Sequence, residues 1–370
     1  MRVLVTGGAG FIGSHLVDAL VQRGHGVRVL DNFDPQVHGE ERPAYLNRDA
    51  EYVEGDVRDR DCVEAALRGV EVVFHQAAAV GVGQSMYEIE KYVSANVLGT
   101  AVLLDVIVNA GIQLHRLVVA SSMSSYGEGQ YACPACGPAA PPLRPAAQLQ
   151  ARQWEVRCPG CGQGAHSVPT PETKPFAPAS VYAISKRDQE ELCLAIGRSY
   201  RLPTVALRYF NAYGSRQALS NPYTGVCAIF SARIKNRNRP ILYEDGGQTR
   251  DLVHVRDVVQ ANLLAMTHPR AVDQAFNVGS GRATSILEIA QTLSRLYGVP
   301  VEPEVTGKYR VGDLRHCYAD ISKLRALGFN PTVAFEEGLR ELVEWGRDAV
   351  ARDGVEDAAR ELELRGLANG

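Results

Sequence analysis

The chain has no surplus of either charge: 39 Lys and Arg stand against 42 Asp and Glu, a formal net charge of −3 over 370 residues. That balance gives no electrostatic basis for gripping nucleic acid or an anionic membrane, so neither is expected as a partner. It also lacks an apolar run of about 18 residues, so no membrane-spanning helix is expected. No charged-then-apolar leader precedes the first strand pattern, which begins at Val3; no secretory signal is expected, and the cytoplasm is the expected compartment. Internal repeats are absent. Cysteine is not scarce, with eight residues, but in a reducing compartment these read as thiols or metal ligands rather than disulfides. A chain of this length that is 45% hydrophobic can bury one large α/β domain or up to two.

The first thirteen residues carry the strongest signal. The apolar strand pattern Arg2-Val3-Leu4-Val5-Thr6 runs into Gly7-Gly8-Ala9-Gly10-Phe11-Ile12-Gly13 and then into a helical pattern from Ser14 to Leu20. Strand, glycine turn and helix in that order build a pocket for a diphosphate. Gly7 permits the turn, Gly10 lets backbone N–H groups approach the phosphates, and Gly13 lets the helix pack against the strand. Asp31, eighteen residues after Gly13 and just before Asn32, ends the second strand pattern. A carboxylate there accepts hydrogen bonds from a ribose diol and repels a 2′-phosphate, which favours NAD over NADP. Further strand patterns at Glu51–Glu54, Val72–His75, Arg116–Ala120 and Thr204–Arg208 alternate with helical ones at 92–110 and 181–200. This predicts a Rossmann-type doubly wound parallel sheet over residues 1–210. Asp56, beside Val57, follows the third strand and is placed either to meet an adenine amino group or to start a turn. Beyond Asn211 the alternation loosens, which predicts a smaller C-terminal α/β substrate domain over 211–348, followed by a charged, helix-prone tail over 349–370.

Two patterns suggest alcohol chemistry. Tyr182-Ala183-Ile184-Ser185-Lys186 puts a phenol and an ammonium one helical turn apart. A nearby ammonium favours phenolate and so lowers the tyrosine pKa, which suits Tyr182 to general acid/base work on a hydroxyl. Ser121-Ser122-Met123-Ser124-Ser125 lies just past the fifth strand, at the sheet edge where α/β proteins bind ligands.

Thr6-Gly7-x-x-Gly10-x-x-Gly13, Asp31, Asp56, His75-Gln76-Ala77-Ala78, Asn96-x-x-Gly99-Thr100, Ser122 and Tyr182-x-x-x-Lys186 stand in the order found in the extended short-chain dehydrogenase/reductases. More narrowly, the chain resembles the NAD-dependent nucleotide-sugar epimerase/dehydratase family. Arg208-Tyr209-Phe210-Asn211, Gly246-x-x-x-Arg250-Asp251 and Arg310-x-Gly312-Asp313 extend the likeness to about residue 345. The resemblance implies that Gly7, Gly10, Phe11, Ile12, Gly13, Asp31, Asn32, Asp56, Val57, Gln76, Ala77, Ala78 and Asn96 hold NAD, together with Tyr182 and Lys186. It implies Tyr182 as acid/base, Lys186 as its pKa partner and Ser122 as the substrate hydroxyl partner. Asn211, Arg250 and Arg310 are implied at the diphosphate, with Asp313 beside them, Tyr243 on the base, and Val82, Ser124 and Val226 around the sugar. It also implies a homodimer.

The 4,6-dehydratases of that family follow the active-site hydroxyl residue with an Asp-Glu pair; here Met123 and Ser124 stand there, and neither can do that proton work. The resemblance therefore points to a 4-epimerase working through a transient 4-keto sugar, with bound NAD recycled. The chain departs from many hexose epimerases in having Val80 where they carry lysine. A UDP-glucose or UDP-glucuronate 4-epimerase, a 4,6-dehydratase or 4-ketoreductase of dTDP- or UDP-linked sugars, and a catalytically silent NAD-binding adaptor remain as alternatives.

Between Gly127 and Pro175 the pattern breaks, with six prolines before Val168 and four cysteines. Cys133-Pro-Ala-Cys136-Gly and Cys158-Pro-Gly-Cys161-Gly are two knuckles separated by twenty-one residues. Four thiolates at that spacing suit a closed, tetrahedral structural zinc, and the insertion is expected to span 128–168. Disulfides, a redox dithiol or a nucleic-acid-binding ribbon are the alternatives, and His166 is near enough to compete as a ligand. The module hangs between Ser122 and Tyr182 and is expected as a stapled flap beside the sugar pocket. With Val80–Met86 and Ser220–Val226, it makes the chain look most like the bacterial dTDP-L-rhamnose 4-epimerase group.

Overall fold

The computed structural model describes residues 1–310 and 312–369. Seven parallel strands form the main sheet: β1 (Arg2–Thr6), β2 (Gly26–Asp31), β3 (Glu51–Glu54), β4 (Val72–His75), β5 (Arg116–Ser122), β6 (Thr204–Tyr209) and β7 (Gln274–Val278), in the spatial order 3-2-1-4-5-6-7. The order reverses between β1 and β4, so the loops after them open a cleft at the carboxyl edge. The central strands are apolar on both faces because helices cover both; every residue of β5 is buried.

Helices α1 (Phe11–Gln22), α2 (Gly99–Asn109), α3 (Val181–Tyr200), α4 (Val226–Lys235), α5 (Val255–Thr267), α6 (Ile286–Tyr297), α7 (Phe335–Asp348) and α8 (Val355–Leu364) pack around that sheet or form the second lobe. Leu16, Val17 and Leu20 of α1 join Val258 and Ala261 of α5 on one sheet face. Leu103, Leu104 and Ile107 of α2 join Cys193 of α3 on the other. Phe230, Leu242, Leu293 and Leu339 centre a separate core in the C-terminal lobe.

Three differences from the sequence expectations matter. First, β7 and α5 come from beyond residue 210, so the lobes are interleaved rather than sequential. Second, the continuous helical run Ile89–Asn109, which includes a π-helical stretch at Val93–Leu98, is long and apolar enough by length and composition to cross a membrane, with mean hydropathy 1.5. That property does not place it in a membrane, and 44% of its 18-residue apolar stretch is buried inside the protein. Glu90, Lys91 and Asp105 break the strict apolar run, and α2 places its apolar face against the sheet. Third, the tail is docked: Leu362 of α8 is buried and packs near Gly83, and Ala368–Asn369 pairs antiparallel with Tyr309–Arg310.

Residues 128–168 form a small module with its own three-stranded sheet, in which Gln130–Cys133 pairs with Gly137–Ala139 and His166–Val168. Tyr131, Cys133, Val156, Cys158 and Ala165 make its core.

Candidate active site

A cavity of about 560 Å³ opens along the carboxyl edge of the sheet. Gly7, Gly10, Phe11, Ile12 and Gly13 form its floor. Gly7 has φ +69°, and a Cβ there would stand 2.7 Å from the Ala77 nitrogen; a Cβ on Gly13 would stand 2.2 Å from the Gly7 carbonyl. Both glycines are fixed by protein packing. Gly10 differs: its nearest neighbour would be 3.4 Å away, so the absence of a side chain there leaves room on the cavity side. Helix α1 begins at Gly10 without a side-chain cap, leaving its first N–H groups available to an anion.

Asp31 lines the cavity and accepts hydrogen bonds from the backbone nitrogens of Ala9 (2.9 Å) and Phe33 (3.0 Å). Its remaining lone pairs suit a diol. Asn32 donates to Asp56 at 3.3 Å, and Arg58 grips Asp56 at 2.7 and 2.9 Å. The Arg58 hydrogen bond holds the Asp56 carboxyl below its usual range. Val57, Gln76, Ala77 and Ala78 also line the cavity. Asn96 does not: fully buried, it bonds Ala79 through both main-chain atoms (2.8 and 3.0 Å) and Ser185 (2.9 Å), tying the loop after β4 to α3.

Ser122, Tyr182 and Lys186 meet on one wall. Ser180 caps α3 through the Ala183 nitrogen, and Ser85 accepts from the Tyr182 nitrogen at 3.0 Å, which fixes where the phenol starts. The Ser122 hydroxyl receives one from Ser124 at 2.8 Å. Burial pushes the Tyr182 phenol up, and hydrogen bonding with Ser122 opposes it. The expected downward shift from Lys186 is thus not the dominant effect. Burial lowers the Lys186 ammonium to about 7, and its Nζ donates to Gln189 at 2.7 Å. Gln189 continues to Thr100 (2.8 Å), Thr100 to His75 (3.0 Å) and His75 to Thr6 (2.8 Å), whose hydroxyl accepts from the Ala77 nitrogen. This buried chain of neutral groups links α3 to the loops after β1 and β4.

The sequence reading missed the roof of the cavity. Gln36 donates to Gln84 at 2.9 Å, Lys91 donates to Gln36 at 2.7 Å, and Asn221 lies 3.4 Å from Gln36. These come from three distant stretches, around residues 36, 84–91 and 221, so no local spacing marks them.

The residues implied at the sugar and nucleotide divide. Val82, Ser124 and Asn211 line the cavity, as do Thr224 and Gly225; Val226 does not. The Asn211 Oδ1 is buried with no protein partner, a polar atom that a ligand donor would satisfy. Tyr243, Arg250, Arg310 and Asp313 lie outside the cavity lining, in a second cluster. There Arg310 stacks 4.1 Å over the Tyr243 ring, and Arg250 reaches Asp313 at 3.3 Å and the Leu314 carbonyl at 2.7 Å. The Arg310 Nε is buried and unpartnered.

The four knuckle cysteines converge: all four Sγ atoms lie within 4.8 Å of one another, and Cys133 and Cys161 are 3.5 Å apart. Backbone N–H groups of Cys161 and Gly160 point at Cys158 and lower its thiol to about 7. His166 stands apart on an exposed strand position. No residue of 128–168 lines the cavity, so the module is not a flap beside the sugar pocket. It packs on the Tyr243–Arg315 side of the C-terminal lobe instead. The other cysteines are dispersed; Cys193, Cys227 and Cys317 are buried and Cys62 is half-buried.

Residues 3–147 and 160–279 match the model of the NAD dependent epimerase/dehydratase family, and the gap falls inside the cysteine module. The chain is 38% identical over 348 residues to a dTDP-L-rhamnose 4-epimerase of Burkholderia thailandensis, covering 93% of this chain and 94% of that one. It is similar in structure to a UDP-glucose 4-epimerase of Thermotoga maritima with UDP-glucose (TM-score 0.77, 34% identity, 94% and 99% covered). A Thermus thermophilus UDP-glucose 4-epimerase in complex with NAD gives a TM-score of 0.74 at 33% identity, with 95% and 100% covered. By sequence and by fold, the chain is an enzyme of the NAD dependent epimerase/dehydratase family, whose relatives here are nucleotide-sugar epimerases.

Proposed function

We propose that the protein is a nucleotide-sugar 4-epimerase that retains NAD, with dTDP-L-rhamnose as its preferred substrate. One observation carries this reading: Ser122, Tyr182 and Lys186 share a cavity with the uncapped glycine turn and Asp31, while the positions after Ser122 are Met123 and Ser124. When bound, NAD supplies reversible hydride acceptance at the sugar C4. The chain's residues supply the rest. Tyr182 takes the C4 hydroxyl proton and returns it, and Ser122 orients that oxygen. Lys186, fixed by Gln189, holds positive charge near the phenol. Met123 and Ser124 offer no carboxyl group, so elimination of water across C5 and C6 has neither acid nor base. Asn211, on the cavity wall, offers its Nδ2 N–H to the diphosphate and its unpartnered Oδ1 to a ligand donor, with Arg250 and Arg310 beyond it. The preference for dTDP-L-rhamnose rests on the Burkholderia thailandensis relative; UDP-glucose is the next candidate, from the relatives of that name.

Cys133, Cys136, Cys158 and Cys161 are proposed to hold one structural zinc. Zn–S bonds of about 2.3 Å set a tetrahedral sulfur separation of about 3.8 Å, and the sulfur cluster spans that distance. Four sulfurs leave no position open for catalysis. A homodimer is proposed on the helical pair around Ile89–Asn109 and α3, where Ile89, Val93, Leu98 and Ile184 are exposed. A cytosolic setting is proposed with it, where thiols gathered at one metal site stay reduced.

The test is incubation with dTDP-L-rhamnose and a panel of dTDP-, UDP- and GDP-sugars without added cofactor, read by NMR. Inversion at C4 with NAD released on denaturation supports the reading. A product lacking the 6-hydroxyl indicates a dehydratase, strict dependence on added NAD(P)H indicates a reductase, and no turnover of any sugar indicates an adaptor.

A further inference from the structure

The cysteine module touches neither the cavity nor Tyr182, yet it is joined to the C-terminal lobe by charged side chains that are almost wholly buried. Arg144, inside the module, grips Glu244 through two bonds of 2.8 and 2.9 Å and donates to the Asp313 carbonyl at 3.1 Å. Glu128 accepts the Arg315 backbone nitrogen at 2.8 Å. Arg315 reaches Glu244 (3.0 Å), Asp245 (2.6 Å) and the module's Glu155 (2.5 Å). The side chains of Glu128, Arg144, Glu244 and Arg315 are all 3% exposed or less.

The partners across this joint are sequence neighbours of the nucleotide-end cluster. Glu244 follows Tyr243 and is held at φ +54°, in the left-handed region that costs a non-glycine residue strain. The Arg315 carbonyl accepts from Arg250 at 3.2 Å. Trp154 of the module packs 6.5 Å from Tyr309, next to Arg310. Glu155 also meets His316 at 3.1 Å, and His316 bonds the Thr249 hydroxyl at 2.8 Å, beside Arg250. Every residue of the nucleotide-end cluster is therefore one step from a module contact, and the module's own fold is closed by the four cysteines.

We propose that the cysteine module is a positioning element for the nucleoside diphosphate end of the substrate. Glu128, Arg144 and Glu155 hold Glu244 and Arg315, which set Tyr243, Arg250 and Arg310; they are positioning residues and touch no reacting atom. The inference rests on the nucleotide-sugar reading above. Opening the module then weakens the grip on the nucleotide while leaving the NAD turn and the Ser122–Tyr182 wall in place.

The experiment uses the full chain, Cys136→Ser/Cys161→Ser, and Glu155→Gln, whose partly exposed side chain can be changed without opening the core. Binding of dTDP and UDP is measured by calorimetry, NAD content by release on denaturation, and KM and kcat on the turned-over sugar. Expected are at least a tenfold loss of nucleoside diphosphate affinity and a matching rise in KM for the double cysteine variant. Glu155→Gln should show a several-fold loss in the same direction, with NAD content and kcat within twofold of the parent. Unchanged dTDP and UDP affinity in both variants, or parallel loss of NAD and kcat, overturns the inference while leaving the epimerase reading intact. A parent chain that binds neither dTDP nor UDP overturns both.

Discussion

The wall that carries Tyr182 and the lobe that carries Tyr243 are held in place by opposite means. Behind Tyr182 runs a chain of uncharged side chains, Gln189, Thr100, His75 and Thr6, each satisfied by the next. Behind Tyr243 sits a knot of buried charges, Arg144, Glu244, Arg315 and Glu128. A neutral chain fixes position at small desolvation cost and keeps the field at the reacting proton under the control of Lys186. A charge knot costs more to bury, yet once formed it resists loss of any single member, because the partner left behind is an unpaired buried ion. The difference suits the tasks proposed for them: a side that moves a proton needs a tunable environment, and one that holds a dianion needs fixed cations.

The largest effect that would test the contrast is on the neutral side. Tyr182→Phe should lower kcat by about 10²–10⁴-fold with NAD content unchanged, as loss of a general acid/base requires; a variant within tenfold of the parent would remove Tyr182 from the chemistry. On the charged side, Arg144→Ala should cost about 3–5 kcal/mol in chemical denaturation, since among the described residues it leaves buried Glu128 with no side-chain cation and Glu244 with Arg315 alone. A cost below about 1 kcal/mol would show that water screens the knot.

The two sides should also part company in acid. Burial lowers His75 to about 3 from an ordinary 6.5. The folded state binds that proton less readily than the unfolded chain, so its contribution is full above pH 6.5 and drains away as pH falls towards 3. The slope is at most about 1.4 kcal/mol per pH unit. Glu155 is lowered from 4.5 to about 2, first by its hydrogen bond with His316, so its contribution is lost only below pH 4.5. Thermal melts from pH 7 to 5 should therefore be flattened by His75→Gln and untouched by Glu155→Gln. The smallest effect expected is the stability change of Glu155→Gln at neutral pH, within about 1 kcal/mol because its side chain is 63% exposed.

What the sequence made legible was local. Gly7, Gly10 and Gly13, Asp31, and Tyr182 with Lys186 each lie on one strand–turn–helix unit, where spacing alone fixes geometry, and all of them reach the cavity. The knuckle cysteines were legible for the same reason, and their sulfurs do converge. The module's placement was not legible, because its contacts run from residues 128–155 to residues 244–316 and no periodicity spans that distance. The direction of the Tyr182 shift was misread because helical spacing says how near Lys186 is but not how deeply the phenol is buried. β7 was overlooked because its short run, Gln274-Ala275-Phe276-Asn277-Val278, mixes polar residues into a buried strand; Asn277 is satisfied by Tyr126 and by backbone carbonyls.

That late strand has a consequence for how the chain is made. β6 is the open edge of the sheet until β7 arrives, and the segment between them builds much of another lobe first. During synthesis, an apolar strand with unpaired N–H and C=O groups is left exposed while the ribosome is still extending the chain, a template for pairing with another nascent copy. The same holds for β5, which waits from residue 122 to residue 204 for β6, so slow translation and helper chaperones should raise the soluble yield of this protein most across these two intervals, 123–203 and 210–273.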